Sequence, residues 1–460
     1  MDRVTASGPG SCAACALCVR ISGARFAAVL AVILMLPAGV IAAENSSATQ
    51  AMQLAREGAA AAELKDTATY LAKMEAAAAL RPDFPRILVN LAAAQLASER
   101  PDESIATLER LAALGVSSPV EKSEDFVALR ARREFQAVVK KLAANLHPKG
   151  AGEVAFSLRE VTGLIEGIAW REKNGQFFFG DVNGRAVWVR QAKDGTLRRF
   201  TPEGDELLGV FGLVVDEAAG ALWAATSAVP AMRGFTPDQD GTAALAEIDL
   251  ETGAVRRTIP VVRRVGDQQS HVLGDLALAA DGSVFVPDSG GPVLWRLPPG
   301  GSALESFVES GEFLSLQGIG LLPAGVALLS DHANGLLRVD LVSHEVRRLE
   351  APTNTTLIGL DGMTLAGDGS VIAVQNGLRP NRVLRIEVDA AGETILAVTV
   401  LESGHITMAA PSLGCIATGG DFFCVGNAGW TRFEDTGGQP SAPRVVPIFR
   451  TVLPGKKSGR

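Results

Sequence analysis

One short pattern recurs along the last two thirds of this chain and constrains its fold more than any other feature. An apolar strand opens with a residue pair that usually contains glycine, and a turn then leads into a second apolar strand. Successive copies start mostly 43 to 46 residues apart, with one longer step of 63 before Gly274. Repeats of this length, built from short strands, indicate blades around an axis, because one blade cannot bury both of its faces alone. The copies are Ile165–Ala169, Phe211–Val215, Gly274–Leu278, Gln317–Leu321, Asp361–Leu365 and a degenerate sixth, His405–Ala409.

Six copies predict an all-β six-bladed β-propeller over residues 149–455. Two segments compete to complete the sixth blade, namely Glu153–Val161 and the C-terminal strand Arg444–Val452, and the sequence leaves that choice open. A strand supplied from the far end of the chain would close the ring without a free edge.

The preceding residues, 44–148, have a helical pattern that is rich in alanine and leucine. Two stretches, Ala51–Phe84 and Pro85–Ser118, align at a spacing of 34 residues and resemble tetratricopeptide repeats. A third unit, Glu124–Leu146, is expected to cap them. An N-terminal α-helical tetratricopeptide-like domain is therefore predicted. It is either a docking groove for a protein partner or a domain that packs on the propeller.

The N-terminus has the features of an export signal, residues 1–43. Arg20 and Arg25 precede the apolar run Phe26–Ile41, and the small residues Ala42 and Ala43 follow. We expect cleavage there and a secreted or periplasmic protein that is not integral to the membrane, with a retained anchor as the alternative.

Cleavage would remove three cysteines and leave Cys415 and Cys424. An even pair in an oxidising compartment predicts one disulfide, and two buried thiols are the alternative. The net charge of −8 and the single tyrosine argue against a nucleic-acid partner.

The first strands of all blades start around one channel, so the residues that open them should face a common mouth. Carboxylates, a carboxamide and an imidazole would meet there, and converging acids require either a cation or a shared proton. A divalent cation is predicted, calcium first, with magnesium, manganese or zinc as alternatives. The residues at these positions are Glu166, Phe211, Asp275, Gln317, Asp361 and His405.

Three stretches carry a resemblance to a known family: EGIAW at Glu166–Trp170, the segment Gly274–Ser289 and DGMTLAGDGSVIAVQNG at Asp361–Gly377. They resemble the group of senescence marker protein, gluconolactonase and luciferin-regenerating enzyme. The resemblance implies that Glu166 and Asp361 bind a divalent cation and that Asp361 is the general base.

In that group asparagines of the third and fourth blades complete the ligand set. Here Gln317 replaces the fourth-blade asparagine and Gly274 replaces the third-blade one, with Asp275 beside it. The implied metal ligands are thus Glu166, Asp275, Gln317 and Asp361.

The function expected from these features is an exported, metal-dependent lactonase or esterase-like hydrolase that acts on a small lactone or ester. Asp361 would take a proton from water, and His271 and His405 would relay protons near neutral pH. The alternative, favoured by Gly274 and Gln317, is a non-catalytic propeller that binds a partner or small ligand in the cell envelope. Four residues that end second strands are expected to cap backbone N–H groups instead: Asp181, Asp288, Asp331 and Asn376.

Overall fold

The computed structural model describes residues 46–204, 207–262, 270–434, 438–439 and 442–454, and it contains a helical N-terminal part followed by six four-stranded sheets. The predicted six-bladed propeller and the helical domain before it are confirmed. The predicted signal peptide lies outside the described residues. Among the residues that are described, no helix is long and apolar enough to cross a membrane.

The helical part consists of two antiparallel pairs and a fifth helix. Gly58 allows the first pair to approach closely, since a Cβ there would lie 2.4 Å from Met74 Cε. Asp66 caps the second helix by accepting from the backbone N–H of Thr69, and prolines open the third and fourth. The tetratricopeptide assignment stays a prediction. The helices are α1 Ser47–Glu63, α2 Thr67–Leu80, α3 Pro85–Ala97, α4 Pro101–Ala113 and α5 Arg133–Ala144, and the short α6 Thr431–Glu434 lies in the sixth blade.

Each of the first five blades takes four consecutive strands, and the first strand is the innermost. Blade 1 has β2 Ile165–Arg171, β3 Gln176–Asp181, β4 Ala186–Arg190 and β5 Leu197–Arg199, after β1 Glu153–Val161. Blade 2 has β6 Gly209–Asp216, β7 Ala221–Ser227, β8 Ala243–Asp249 and β9 Val255–Pro260. Blade 3 has β10 Ala277–Leu278, β11 Val284–Pro287, β12 Val293–Leu297 and β13 Glu305–Glu309. Blade 4 has β14 Leu316–Leu322, β15 Val326–Asp331, β16 Gly335–Asp340 and β17 Val346–Arg348. Blade 5 has β18 Leu360–Leu365, β19 Val371–Gln375, β20 Arg382–Val388 and β21 Ile395–Ser403.

The sixth blade is built from both ends of the propeller. Its inner strands are β22 Gly414–Ala417 and β23 Asp421–Val425, and β24 Arg444–Thr451 pairs with β1 at the outer edge. Both competing segments are therefore used, side by side. The assignment of His405–Ala409 as the sixth inner strand is wrong, because these residues lie in the connection from β21 to β22. The pair that matches the other copies is Leu413-Gly414, which has no acidic residue.

The hydrophobic core lies in the gaps between neighbouring blades. Second strands are buried on both faces, so they read as continuous apolar runs, whereas outer strands such as β9 alternate in exposure. Successive residues of β3 pack into opposite gaps: Phe177 and Phe179 face blade 6, and Phe178 faces blade 2.

The residue pairs that open the inner strands form β-bulges. The register shifts at this point in β2, β6, β14 and β18. A Cβ at Gly167 would lie 1.9 Å from the carbonyl oxygen of Phe211 in the next blade, so this position requires glycine. The bulge frees the residue before the glycine from regular pairing, at the end of the strand nearest the axis.

The predicted disulfide is wrong, because Cys415 and Cys424 are both free thiols. They lie on adjacent strands, but Cys415 pairs with Phe423 and Cys424 with Gly414. This offset by one residue puts the two side chains on opposite faces of the sheet and in different core clusters. Burial raises the pKa of Cys424 to about 12, so the thiol stays protonated.

The helical domain packs on the turns of blades 4 and 5 that connect the second and third strands, at the end of the propeller where the inner strands begin. The fully buried Arg81 pairs with Asp83 and donates to Asn334 Oδ1 at 3.0 Å. Leu378 of blade 5 packs against the core of the helical domain, and the N–H of Ser117 donates to the carbonyl oxygen of Arg379 at 2.7 Å. The helices therefore cover part of the channel mouth.

Candidate active site at the channel mouth

Glu166 and Asp361 lie near each other at the mouth, in the bulges that open β2 and β18. Each side chain is buried, with 6% of its surface exposed. Burial raises the pKa of Glu166 well above its ordinary value, and the negative charge of Asp361 raises it further. Trp430 Nε1 donates to Glu166 Oε2 at 2.8 Å and opposes this shift.

Asp361 has a smaller shift in the same direction. Burial raises its pKa to about 6, while the Asn376 side chain and the backbone N–H of Gly362 stabilise the charged form. Asn376 Nδ2 donates both to Asp361 Oδ2 and to the carbonyl oxygen of Pro411, the latter at 2.8 Å. At neutral pH we therefore expect a proton on Glu166 and a negative charge on Asp361.

A third carboxyl belongs to the same group. Burial raises the pKa of Asp275 to about 8, and the charge of Asp361 adds to this effect. The neighbouring residue Gly274 links blades 2 and 3, because its carbonyl oxygen accepts a hydrogen bond from the N–H of Gly212 at 3.0 Å. Gln317 on β14 is also buried, and its amide nitrogen donates to Ser315 Oγ at 3.1 Å.

These four side chains are the predicted metal ligands, and their oxygens suit a hard divalent cation in chemistry. Within the described part of the chain, however, no group of three or more His, Cys, Asp or Glu side chains could hold a metal ion. Glu166 Oε2 is engaged by Trp430, and Gly274 supplies no side chain. The side chains as they stand therefore do not form the ligand set that the resemblance implies.

The two predicted histidines have other partners. His271 Nδ1 lies 2.6 Å from Asp288 Oδ2, and its ring is edge-on to Trp295. His405 Nε2 lies 2.8 Å from the carbonyl oxygen of Lys149 and 2.9 Å from Glu402 Oε2. Neither histidine is among the residues that line the cavity described below, and their role as proton relays stays a prediction.

Three of the four strand-end residues cap backbone groups as expected. Asp331 accepts from the N–H groups of Leu314, Ser315, Ala333 and Asn334. Asp181 and Asp288 accept from backbone N–H groups in the same way and also from a tryptophan of the third strand, Trp188 and Trp295 respectively. Asn376 differs from these three aspartates. In blade 5 the position equivalent to theirs is occupied by Gln375, and Asn376, the next residue, donates a hydrogen bond to Asp361.

Above the carboxyl pair lies a cavity of about 560 Å³ between the two domains. Its propeller wall includes the residues that hold the pair, Asn376, Ser412 and Trp430, and its roof comes from α3 and the residues after α4. His332 also lines it, and burial lowers the pKa of His332 while its interaction with Asn376 raises it.

Sequence reasoning missed His332, Trp430 and Ser412. His332 carries one usable signal, since it directly follows the strand-end aspartate of blade 4, the position that Asn376 occupies in blade 5. Ser412 Oγ donates to the carbonyl oxygen of Glu166 at 2.9 Å. Ser412 precedes the Leu413-Gly414 pair, where the equivalent residues of blades 1, 4 and 5 are the apolar Ile165, Leu316 and Leu360, and Trp430 lies in the long connection between β23 and β24.

No protein-family model matches the chain, and no curated protein matches it. Solved structures with a similar fold include a gluconolactonase from Xanthomonas campestris, which is 17% identical at a TM-score of 0.43, over 64% of this chain and 88% of that one. A luciferin-regenerating enzyme is 14% identical at a TM-score of 0.45, over 65% and 94%. Virginiamycin B lyase from Staphylococcus aureus is 16% identical at 0.41, over 58% and 80%. The sheet topology fits a six-bladed propeller of the family that the sequence motifs resemble. Structural similarity at such low sequence identity and TM-score says nothing about activity.

Proposed function

We propose that this protein hydrolyses a small ester or lactone in the cavity between its two domains, with Asp361 as general base and Glu166 as general acid. The observation that carries the proposal is the buried carboxyl pair beneath that cavity. Burial raises the pKa of both members, and the negative charge of Asp361 raises that of Glu166 further. Two carboxyls whose environments separate their pKa values are suited to opposite roles in proton transfer.

The proton balance of the reaction follows from these assignments. Asp361, with a pKa of about 6, is ionised at neutral pH and takes a proton from the water that attacks the carbonyl carbon. Glu166 gives its proton to the alkoxide oxygen that leaves as the carbon–oxygen bond breaks. The product is a hydroxy acid, or an acid and an alcohol, and proton transfer from Asp361 to Glu166 restores the pair.

Two neighbouring side chains would orient this pair. Asn376 holds one oxygen of Asp361 and is itself fixed by the carbonyl oxygen of Pro411. Trp430 holds one oxygen of Glu166 and packs near Phe211, with the ring centroids 6.0 Å apart. Both residues line the cavity, so an ester seated there would contact the groups that fix the acid and the base.

The divalent cation, calcium first, stays a prediction, and no step above is routed through it. Metal analysis of the purified protein before and after chelation tests it. A stoichiometric ion that is lost together with activity would establish the cation, and full activity in the chelated protein would rule it out.

The decisive experiment is a panel of small lactones and aryl esters, assayed with the chelated protein and again with added calcium, magnesium, manganese or zinc. We expect turnover that is lost in both Asp361→Asn and Glu166→Gln. If no member of the panel is hydrolysed under any of these conditions, the hydrolase proposal fails.

A second candidate is a ligand-binding propeller without catalysis. Gly274 favours it, because the third blade supplies no side chain at the position where the resembling group has an asparagine. Saturable binding of a lactone to the wild-type protein, with no hydrolysis in any metal, would support this candidate over the first.

We also propose that the mature protein is exported and begins near Glu44, after cleavage at Ala42 or Ala43. Support comes from the basic flank and apolar run of residues 20–43. N-terminal sequencing of the protein from a periplasmic or secreted fraction tests this, and a mature chain that retains residues 26–41 would contradict it.

A further inference from the structure

Two arginines line the cavity, one from each domain. Arg86 lies in the first turn of α3, and Arg379 lies in the connection between β19 and β20. Both side chains are exposed, and within the described residues neither takes part in an ion pair or a side-chain hydrogen bond. Their neighbours at the domain junction differ, since Arg81 pairs with Asp83, and Arg382 donates to the carbonyl oxygen of Leu114.

The cavity wall otherwise contains no compensating negative charge. Among its described lining residues there is no aspartate or glutamate. Glu166 and Asp361 are not lining residues themselves, although Trp430 and Asn376, which line the cavity, donate hydrogen bonds to them. In a chain with a net charge of −8, a cavity lined by two arginines and no acids is a local reversal of sign.

The remaining lining contains both apolar and polar side chains. Trp430 and Leu378 offer apolar surface, while Asn376 and Ser412 lie where the cavity meets the carboxyl pair. An arginine guanidinium binds a carboxylate through parallel N–H···O bonds, and such charge-assisted bonds are stronger than neutral ones. A ligand with an anionic group at one end and an ester at the other would place the anion against the arginines and the ester near the carboxyl pair.

We propose that the substrates of this site carry a carboxylate, which Arg86 and Arg379 bind while the ester or lactone carbonyl reaches Asp361. This inference rests on the proposed hydrolase function and specifies its substrate class. It assigns a role to the helical domain, because one of the two arginines and much of the cavity roof belong to it. The hydrogen bond from Ser117 to the carbonyl oxygen of Arg379 fixes the second arginine to the same domain.

The binding test uses a matched pair of probes that cannot be hydrolysed, tetrahydrofuran-2-carboxylate and tetrahydrofuran-2-carboxamide, titrated by ligand-detected NMR. We expect wild type to bind the carboxylate at least tenfold more tightly than the carboxamide. Arg86→Gln and Arg379→Gln should each lower this preference severalfold, and the double variant should abolish it. Arg56→Gln is the control, because Arg56 is exposed on α1, away from the cavity, and should leave the preference unchanged.

A salt titration of wild type needs no variant. Raising the salt concentration should weaken binding of the carboxylate and leave binding of the carboxamide unchanged, since only the first depends on charge. Equal binding of the two probes, failure of wild type to bind the carboxylate, or a preference that survives in the double variant would overturn the inference.

Hydrolysis is measured separately with 5-oxotetrahydrofuran-2-carboxylate and its carboxamide, which contain the lactone. If the carboxylate probe binds through the two arginines but neither of these lactones nor any member of the panel is hydrolysed, carboxylate binding by the arginines stands and the hydrolase function falls. If both lactones are hydrolysed with equal kcat/KM, the hydrolase function stands and this inference falls.

Discussion

The propeller buries two sets of carboxyl groups, one in the bulges that open inner strands and one at the ends of second strands, and they differ in what surrounds them. The strand-end aspartates Asp181, Asp288 and Asp331 each accept two or more backbone N–H groups, from the turn that follows their own strand and from the segment that precedes the first strand of the blade. The mouth carboxyls Glu166 and Asp361 instead accept side-chain donors, Trp430 from a turn of blade 6 and Asn376 from a turn of blade 5, and the two carboxyls lie next to each other.

The difference separates a structural role from a chemical one for the same residue type at similar burial. A carboxylate saturated by backbone donors holds two turns together and has little capacity left for a ligand. A carboxyl that is buried next to another carboxyl is costly to ionise, and that cost favours a group that exchanges protons.

Asp361→Asn provides the largest expected effect and tests the chemical side of the comparison. We expect kcat to fall by roughly 10²- to 10⁴-fold, because the base is lost. The free energy of unfolding should stay the same or rise, since a buried charge next to Glu166 disappears. Steady-state kinetics and chemical denaturation of the two proteins check this, and activity within tenfold of wild type would remove Asp361 from the role of base.

Asp288→Ala tests the structural side, in a blade that carries neither Glu166 nor Asp361. Three backbone N–H groups and the Trp295 indole would lose their acceptor, so we expect the free energy of unfolding to fall by about 2–4 kcal/mol. The kcat of the folded protein should change less than threefold. Urea denaturation measures the first quantity, and a loss of kcat as large as that of Asp361→Asn would erase the distinction between the two sets.

Asp275 makes the free energy of unfolding depend on pH, and this dependence measures the cost of burying an acid at the mouth. Its pKa is about 8 in the folded protein and near 4 in an unfolded chain, so the folded state binds more protons between these values. Stability from this group is therefore greatest below about pH 4 and declines as the pH rises towards 8. Asp275→Asn should match wild type near pH 4 and become increasingly more stable than wild type up to pH 8. Equal pH dependence of the two unfolding free energies would contradict the raised pKa.

The fold could be predicted from the sequence because a blade is a local unit that repeats. The copies that open with Glu166 and Asp361 also preserve the bulge glycine, so their positions at the mouth follow from the repeat alone. The way in which the ring closes could not be predicted from the repeat, because β1 pairs with β24 from the other end of the propeller.

The misassigned sixth copy has a related cause. In blade 6 the inner strand opens with Leu413-Gly414, without an acid, whereas the connection that contains His405 has a similar apolar pattern. The wrong disulfide resulted from an offset of one residue in strand register, which cysteine spacing does not reveal. The cavity could not be predicted from the sequence for another reason. About half of its lining belongs to the helical domain, whose position on the propeller depends on contacts such as that of Arg81 with Asn334.

Trp430→Phe provides the smallest and sharpest test, because it changes the environment of one mouth carboxyl and leaves its charge in place. The indole N–H stabilises the ionised form of Glu166, so its loss should raise the pKa of Glu166 further. With Glu166 as the acid, the alkaline limb of the kcat profile should move to higher pH, while the acid limb near pH 6 should stay with Asp361. We expect kcat at neutral pH to fall only severalfold, since phenylalanine keeps the contact with Phe211. A shift of the acid limb instead would exchange the roles of the two carboxyls, and an unchanged profile would leave Glu166 with no part in proton transfer.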